Sequence, residues 1–179
     1  MSYNFDQKIL QPFILLTLVA CICFLSCNSE VKKPYLLPEN AIELISGSKG
    51  KTWKIAKRLN NDIRMNMGDC FLSYRQTYFP NMTMQDNNGD YPDCGPTLKA
   101  TWEMYQDKKG NSFIKLKSEQ LPQLLNTKEN YKYFQILEIT DSTLQVTYQH
   151  KQFSNKTMWI KDFYVKENIK VPNRDFHNR

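Results

Sequence analysis

Thr143-Leu-Gln-Val-Thr-Tyr-Gln149 alternates without a break: Leu144, Val146 and Tyr148 fall on one side of an extended chain, with polar residues on the other. A side-chain period of two fits a half-buried β-strand and excludes an amphipathic helix, whose apolar residues recur every three or four positions. The pattern returns in Lys51 to Lys57 with Trp53 and Ile55, in Thr101 to Tyr105 with Trp102 and Met104, and in Phe113 to Lys117 with Ile114 and Leu116. Phe71 to Phe79 and Met158 to Val165 read as strands that are apolar or aromatic on both faces, as under a covering loop or helix. Tyr131 to Ile139 changes parity midway, which predicts a bulge. Turn residues stand between these segments at Gly68-Asp69, Asn87-Asn88-Gly89, Lys108-Lys109-Gly110 and Thr140-Asp141-Ser142. The count is seven strands, or eight with Met82 to Gln85. No helical pattern longer than two turns separates them, so an antiparallel meander is expected rather than βαβ units. Closure removes exposed strand edges, and the prediction is an all-β fold: one antiparallel up-and-down barrel. Pro38 to Ile45, with Glu39 and Glu43 early and Gly47 beyond, predicts a short helix before it, with Ala41, Ile42 and Ile45 on one side.

Ahead of all this lies an apolar run, Phe13 to Leu25, followed at once by Ser26-Cys27. Its thirteen residues would reach only ~20 Å as a helix, against ~30 Å for a hydrocarbon core. That is the length of a signal-peptide core; an uncleaved membrane anchor is the competing reading. Phe24-Leu25-Ser26-Cys27 resembles a bacterial lipobox. The resemblance implies cleavage before Cys27, diacylglycerol on its thiol and acylation of the new amine. Two or three acyl chains anchor a protein stably without spanning the membrane. The expected organisation is a signal peptide over 1–26, a lipidated tether over 27–38, a barrel domain over 39–166 and a C-terminal tail over 167–179.

Cys21 and Cys23 would leave with the signal, and Cys27 would carry lipid. Cys70 and Cys94 remain, an even pair in an oxidising compartment, where a disulfide is the expected state. A metal site is the rival, but no histidine lies near them in the sequence. The net charge of +6 is carried by scattered basic residues, among them Lys32, Lys33, Lys54, Lys57, Arg58, Lys115 and Lys117. They read as a solvated surface facing an anionic layer, and no nucleic-acid partner is expected of an exported protein.

From Ile42 to Val165 the chain resembles the lipocalin-like lipoproteins common in Bacteroidetes. The matching pieces are Gly50-Lys-Thr-Trp-Lys-Ile55, Cys70 with an aromatic segment ending Thr77-Tyr-Phe79, then Cys94. Thr101-Trp-Glu103 leading into Asp107 to Leu116 follows, and Gln135-Ile-Leu-Glu-Ile-Thr-Asp-Ser-Thr-Leu144 closes the match. Lipocalins open with Gly-x-Trp; here Thr52 is inserted before Trp53. The resemblance implies a lipocalin-like barrel and an address in the cell envelope, at the outer membrane, held there by the N-terminal lipid.

No catalytic arrangement emerges, and neither an enzyme activity nor a cofactor is expected. His150 and His177 are the only imidazoles and nothing in the sequence brings them together. Asp86-Asn-Asn-Gly-Asp-Tyr-Pro-Asp93 offers oxygen ligands but lacks the closing glutamate of a calcium loop. Met65-Asn-Met67 and Met82-Thr-Met84 present thioethers of the kind that bind copper(I), a residue type used far more often to fill cores.

Trp53, Tyr74, Trp102 and Tyr148 are the candidate ligand-binding residues of the barrel interior. The same aromatics either line a cavity for a small apolar or aromatic molecule or fill the barrel solid. In the second case the protein is an interaction module that contacts a partner protein or an envelope glycan through its outside, possible inhibition included. Ser118 to Asn130, carrying Leu121, Leu124 and Leu125, is the longest connection and reads as a lid over the mouth or a plug in it.

Overall fold

The computed structural model describes residues 33–151 and 156–174. A short helix α1 (Ala41–Ser46) precedes strand β1 (Lys51–Asn60). The chain then folds back as the two-residue strand β2 (Ile63–Arg64) through Asn61 and Asp62, both at positive φ. Asn and Asp tolerate that conformation because their short side chains bond locally. A helical turn α2 (Asp69–Ser73) leads into β3 (Arg75–Tyr78) and β4 (Thr83–Asp86). A 3₁₀ turn at Asn88–Asp90 comes before β5 (Lys99–Gln106) and β6 (Ser112–Lys117). Helix α3 (Leu121–Leu125), β7 (Tyr131–Ile139), β8 (Thr143–Lys151) and β9 (Thr157–Lys166) complete the described elements.

Every neighbouring pair in the sheet is antiparallel, and β9 returns to pair with β1 from Trp53↔Lys166 to Asn60↔Ile160. Eight strands therefore close into an up-and-down barrel, with β2 an added finger on the end of β1. The expected phases are realised: Trp53, Ile55, Trp102, Ile114, Leu116, Leu144 and Val146 are all buried inside. The expected bulge in β7 lies between Ile136 and Glu138.

Two expectations need correction. Phe71 to Phe79 is not one strand. Its first part is the turn α2, held by Ser73 Oγ donating to the Asp69 carbonyl at 2.8 Å, and only Arg75–Tyr78 is extended. In α1, Ala41 and Ile45 are buried and Leu44 packs beside them, while Ile42 is exposed. Residues 41, 44 and 45 form the i, i+3, i+4 stripe of one helical face, which leaves 42 outside it.

Helix α1 closes one end of the barrel. Its last turn receives the Trp53 indole N–H on the Ile45 carbonyl at 2.9 Å and the Lys51 ammonium on the Leu44 carbonyl at 2.8 Å. Gly47, at φ 59° and ψ −174°, ends the helix in a positive-φ conformation open to glycine at little cost. Tyr35 adds a hydroxyl that accepts from the Ile139 N–H and donates to the Ile139 carbonyl.

The wall is uneven between β1 and β3, which pair only from Lys51↔Tyr78 to Lys54↔Arg75. Beyond that point, β1 carbonyls find other donors. The Ile55 carbonyl accepts from Arg174 Nε at 2.7 Å, and the Arg58 carbonyl from the Met65 N–H at 3.0 Å. Arg174 also donates to the carbonyls of Leu72 and Phe71, tying α2 across this seam. Among the described residues no helix is long and apolar enough to cross a membrane.

Candidate ligand cavity

The half of the barrel next to α1 is solid. Trp53 is fully buried, and Trp102 stacks edge-on against Tyr78 with ring centroids 5.4 Å apart. The opposite half holds a cavity of about 300 Å³. Its apolar surface comes from Ile55 in β1, Met84 in β4, Leu98 and Leu116, with Phe134 in β7 and Phe71 in α2. Tyr74, Tyr148 and Tyr164 add rings with hydroxyl groups. Cys70 and Cys94 also face it, and they form the expected disulfide. The bond closes 24 residues of sequence separation and fastens α2 to the segment before β5.

Charge enters this space through strand phase. The pairing of β1 with β9 slips by one residue between Ile55 and Lys57, so Arg58 rather than Lys57 turns inward. In β9, Asp162 shares the inward phase of Ile160 and Tyr164 and is fully buried. Arg58 meets it with two hydrogen bonds, Nε to Oδ1 at 2.6 Å and Nη2 to Oδ2 at 2.7 Å. Tyr148 and Tyr164 donate their hydroxyls to the same Oδ2, at 3.1 and 3.2 Å. Burial works against the Arg58 charge, yet the Asp162 hydrogen bond and charge outweigh it and hold the guanidinium firmly protonated. Burial raises the Tyr148 and Tyr164 hydroxyls above the usual phenol range, and the adjoining Asp162 charge adds to that.

Lys132 occupies an inward position of β7, in phase with Phe134 and Ile136, and lines the cavity. Its ammonium lies 4.3 Å from the Tyr148 ring centroid and 5.3 Å from that of Phe134. Among the described residues it meets no carboxylate or carbonyl within hydrogen-bonding distance. Burial, and secondarily the Arg58 charge, pushes its pKa down to about 8. His150, also inward-phased on β8, is held below the usual imidazole range by burial and then by the Lys132 and Arg58 charges.

Of the four aromatics expected to serve a ligand, Tyr74 and Tyr148 line the cavity together. Trp53 and Trp102 belong to the packed half instead, each with its indole N–H bonded to a carbonyl, Ile45 and Phe79 respectively. Cys27 and His177 lie outside the described residues. The Asp86 carboxylate accepts from the Asn88 and Leu98 N–H groups and so organises its own loop. Met67 and Met84 are buried, and Met82 sits in a left-handed turn, which breaks the expected face shared with Met84. Leu121 is buried, yet none of Leu121, Leu124 and Leu125 lines the cavity. The expected surface role of Arg58 is overturned by its ion pair. Lys132 and Asp162 carry a sequence signal that the apolar pattern alone overlooks: each is a charged residue standing on a strand's apolar phase.

A broader groove of about 660 Å³ at the α1 end is lined by Glu43, Lys51, Asp141 and Lys166 among others. Lys51 and Lys166 both pair with Asp141, and with Lys49, Glu43 and Glu167 the lining carries three basic and three acidic residues. On the outer wall, Tyr105, Phe113, Tyr133 and Tyr131 form a chain of ring contacts across β5, β6 and β7, with centroids 5.3 to 6.0 Å apart. The chain matches no protein-family model and no curated protein.

Proposed function

We propose that this chain is a membrane-anchored lipoprotein of the cell envelope whose barrel binds a small apolar or aromatic molecule. The observation that carries the reading is the cavity itself: about 300 Å³, walled by rings and aliphatic side chains with a few polar groups. That lies at the lower end of the range for small-molecule sites and has their mixture of apolar wall and convergent polar atoms. The address rests on the sequence, on Ser26-Cys27 after a short apolar run. The Cys70–Cys94 disulfide supports an oxidising compartment.

Mass spectrometry of protein extracted from its own cells tests both parts. The denatured mass is expected to begin at Cys27 with lipid attached, and the native mass to include a further small molecule. Leu98→Trp, which enlarges a wall residue of the cavity, is expected to remove that extra mass. A chain without lipid rejects the anchor, and a native mass without additions in the wild type argues against a retained ligand.

A second reading has its own support. The ring chain Tyr105–Phe113–Tyr133–Tyr131 leaves three tyrosines exposed on the outer wall, a composition typical of recognition surfaces. Here the barrel is an interaction module for a partner protein or envelope glycan. Tyr105→Ala with Tyr133→Ala would abolish partner capture on this reading while leaving small-molecule retention intact.

A further inference from the structure

We propose that the cavity takes a small monocarboxylate with an apolar or aromatic body, its carboxylate paired with the ammonium of Lys132. The proposal rests on the reading of the cavity as a ligand site and names the ligand's charge and size.

The argument begins with the charges inside the barrel. Asp162 offers two oxygens and receives four donors: two from Arg58 and one each from Tyr148 and Tyr164. Its single negative charge is matched by that of Arg58, which holds both oxygens. Arg58 is neutralised by this pair and is covered by Phe71, whose ring centroid lies 4.4 Å from the guanidinium carbon. Among the described residues, Lys132 is therefore the cavity-wall cation with no carboxylate in hydrogen-bonding contact, Asp162 acting on it only through space. Its ammonium rests on the face of Tyr148, which offers only partial compensation for the water removed. A carboxylate entering the cavity supplies the missing charge and acceptor, in surroundings where a charge-assisted hydrogen bond is strong.

The balance of charge also sets the valence. One uncompensated lysine matches one negative charge; a phosphomonoester dianion would bring a surplus charge into an apolar space. Volume sets the size. A liquid water occupies ~30 Å³, so a cavity of about 300 Å³ holds on the order of ten non-hydrogen atoms. That suits an aryl-acetate or the carboxyl-bearing part of a medium-chain acid. Phe134, Tyr74 and Leu116 provide the wall for the body of such a molecule.

Phenylacetate and its neutral isostere phenylacetamide are the probes, compared by calorimetric titration of the wild type, Lys132→Met and Lys132→Arg. The wild type is expected to bind phenylacetate at least about tenfold more tightly than the amide, the scale of a charge-assisted hydrogen bond. Lys132→Met is expected to erase that preference by weakening the carboxylate far more than the amide, and Lys132→Arg to keep it. Equal affinities in the wild type, or a preference that survives Lys132→Met, would overturn the carboxylate assignment and leave the ligand cavity standing. Failure of the wild type to bind either probe would remove the cavity reading and this assignment together. The wild-type comparison decides even if Lys132→Met does not fold.

Discussion

Lys132 stands where the alternation of β7 asks for an apolar side chain, and the molecule carries the cost of that choice. Its pKa is pushed down to about 8 from 10.5. Between those values an unfolded chain holds a proton that the folded chain has released, so stability rises with pH across that window. The groups facing the ammonium are Arg58, Asp162, Tyr148 and His150. The imidazole titrates below its ordinary 6.5 and leaves the window clear. Buried phenols act in the opposite sense. Tyr78 and Tyr148 are held above their ordinary 10.0, so above that pH the unfolded chain loses protons that the folded chain keeps, and stability falls. Urea unfolding followed against pH should therefore show a rise from about pH 8 to a maximum near about pH 10, of order 1–3 kcal/mol. Lys132→Met is expected to flatten the rise and leave the decline. A flat profile in the wild type would mean that the ammonium stays fully solvated.

The strands differ in how openly the sequence declares them. β8 alternates strictly, as do the inner residues of β5 and β6, and their faces are legible from residue order alone. Trp102 illustrates the consequence: its phase with Met104 places it inside, where it is 2% exposed and stacked on Tyr78. Trp102→Ala is expected to cost roughly 3–5 kcal/mol in chemical denaturation. A loss below about 1 kcal/mol would contradict its burial. β1 is harder to read. Its bulge at Ala56 leaves no mark in composition, because Lys57 and Arg58 are both basic and either is at home on a surface. Only the partner strand settles which turns in: Asp162 on the apolar phase of β9 needs a counter-ion, and the slip delivers Arg58 to it. The Phe71 to Phe79 segment fails as a strand for a related reason. Its aromatic richness suits a strand or a buried turn equally, and Cys70, fixed to Cys94, selects the turn. The cavity was legible only in half. Two of its aromatics stand out in the sequence, but which end of the barrel α1 fills depends on the Trp53–Ile45 and Lys51–Leu44 contacts.

At the scale of the whole barrel, closure by β1 and β9 leaves the strands paired around the circuit, apart from the seam between β1 and β3. There the wall is α2, a disulfide and the Arg174 side chain in place of a ladder. Continuous ladders open only with the global free energy, whereas loops held by a few contacts open locally at far lower cost. A molecule held inside this barrel is therefore expected to leave through the seam, with the crosslink setting how long it stays. Cys70→Ser with Cys94→Ser should lower stability by about 3 kcal/mol, the value for a loop of this length. Stopped-flow mixing with a bound probe should then show entry and escape accelerated together. Escape slowed or untouched by the double substitution would place the exit elsewhere. Residence time, on this view, is under redox control: the protein would retain its cargo where thiols are oxidised and surrender it quickly where they are reduced.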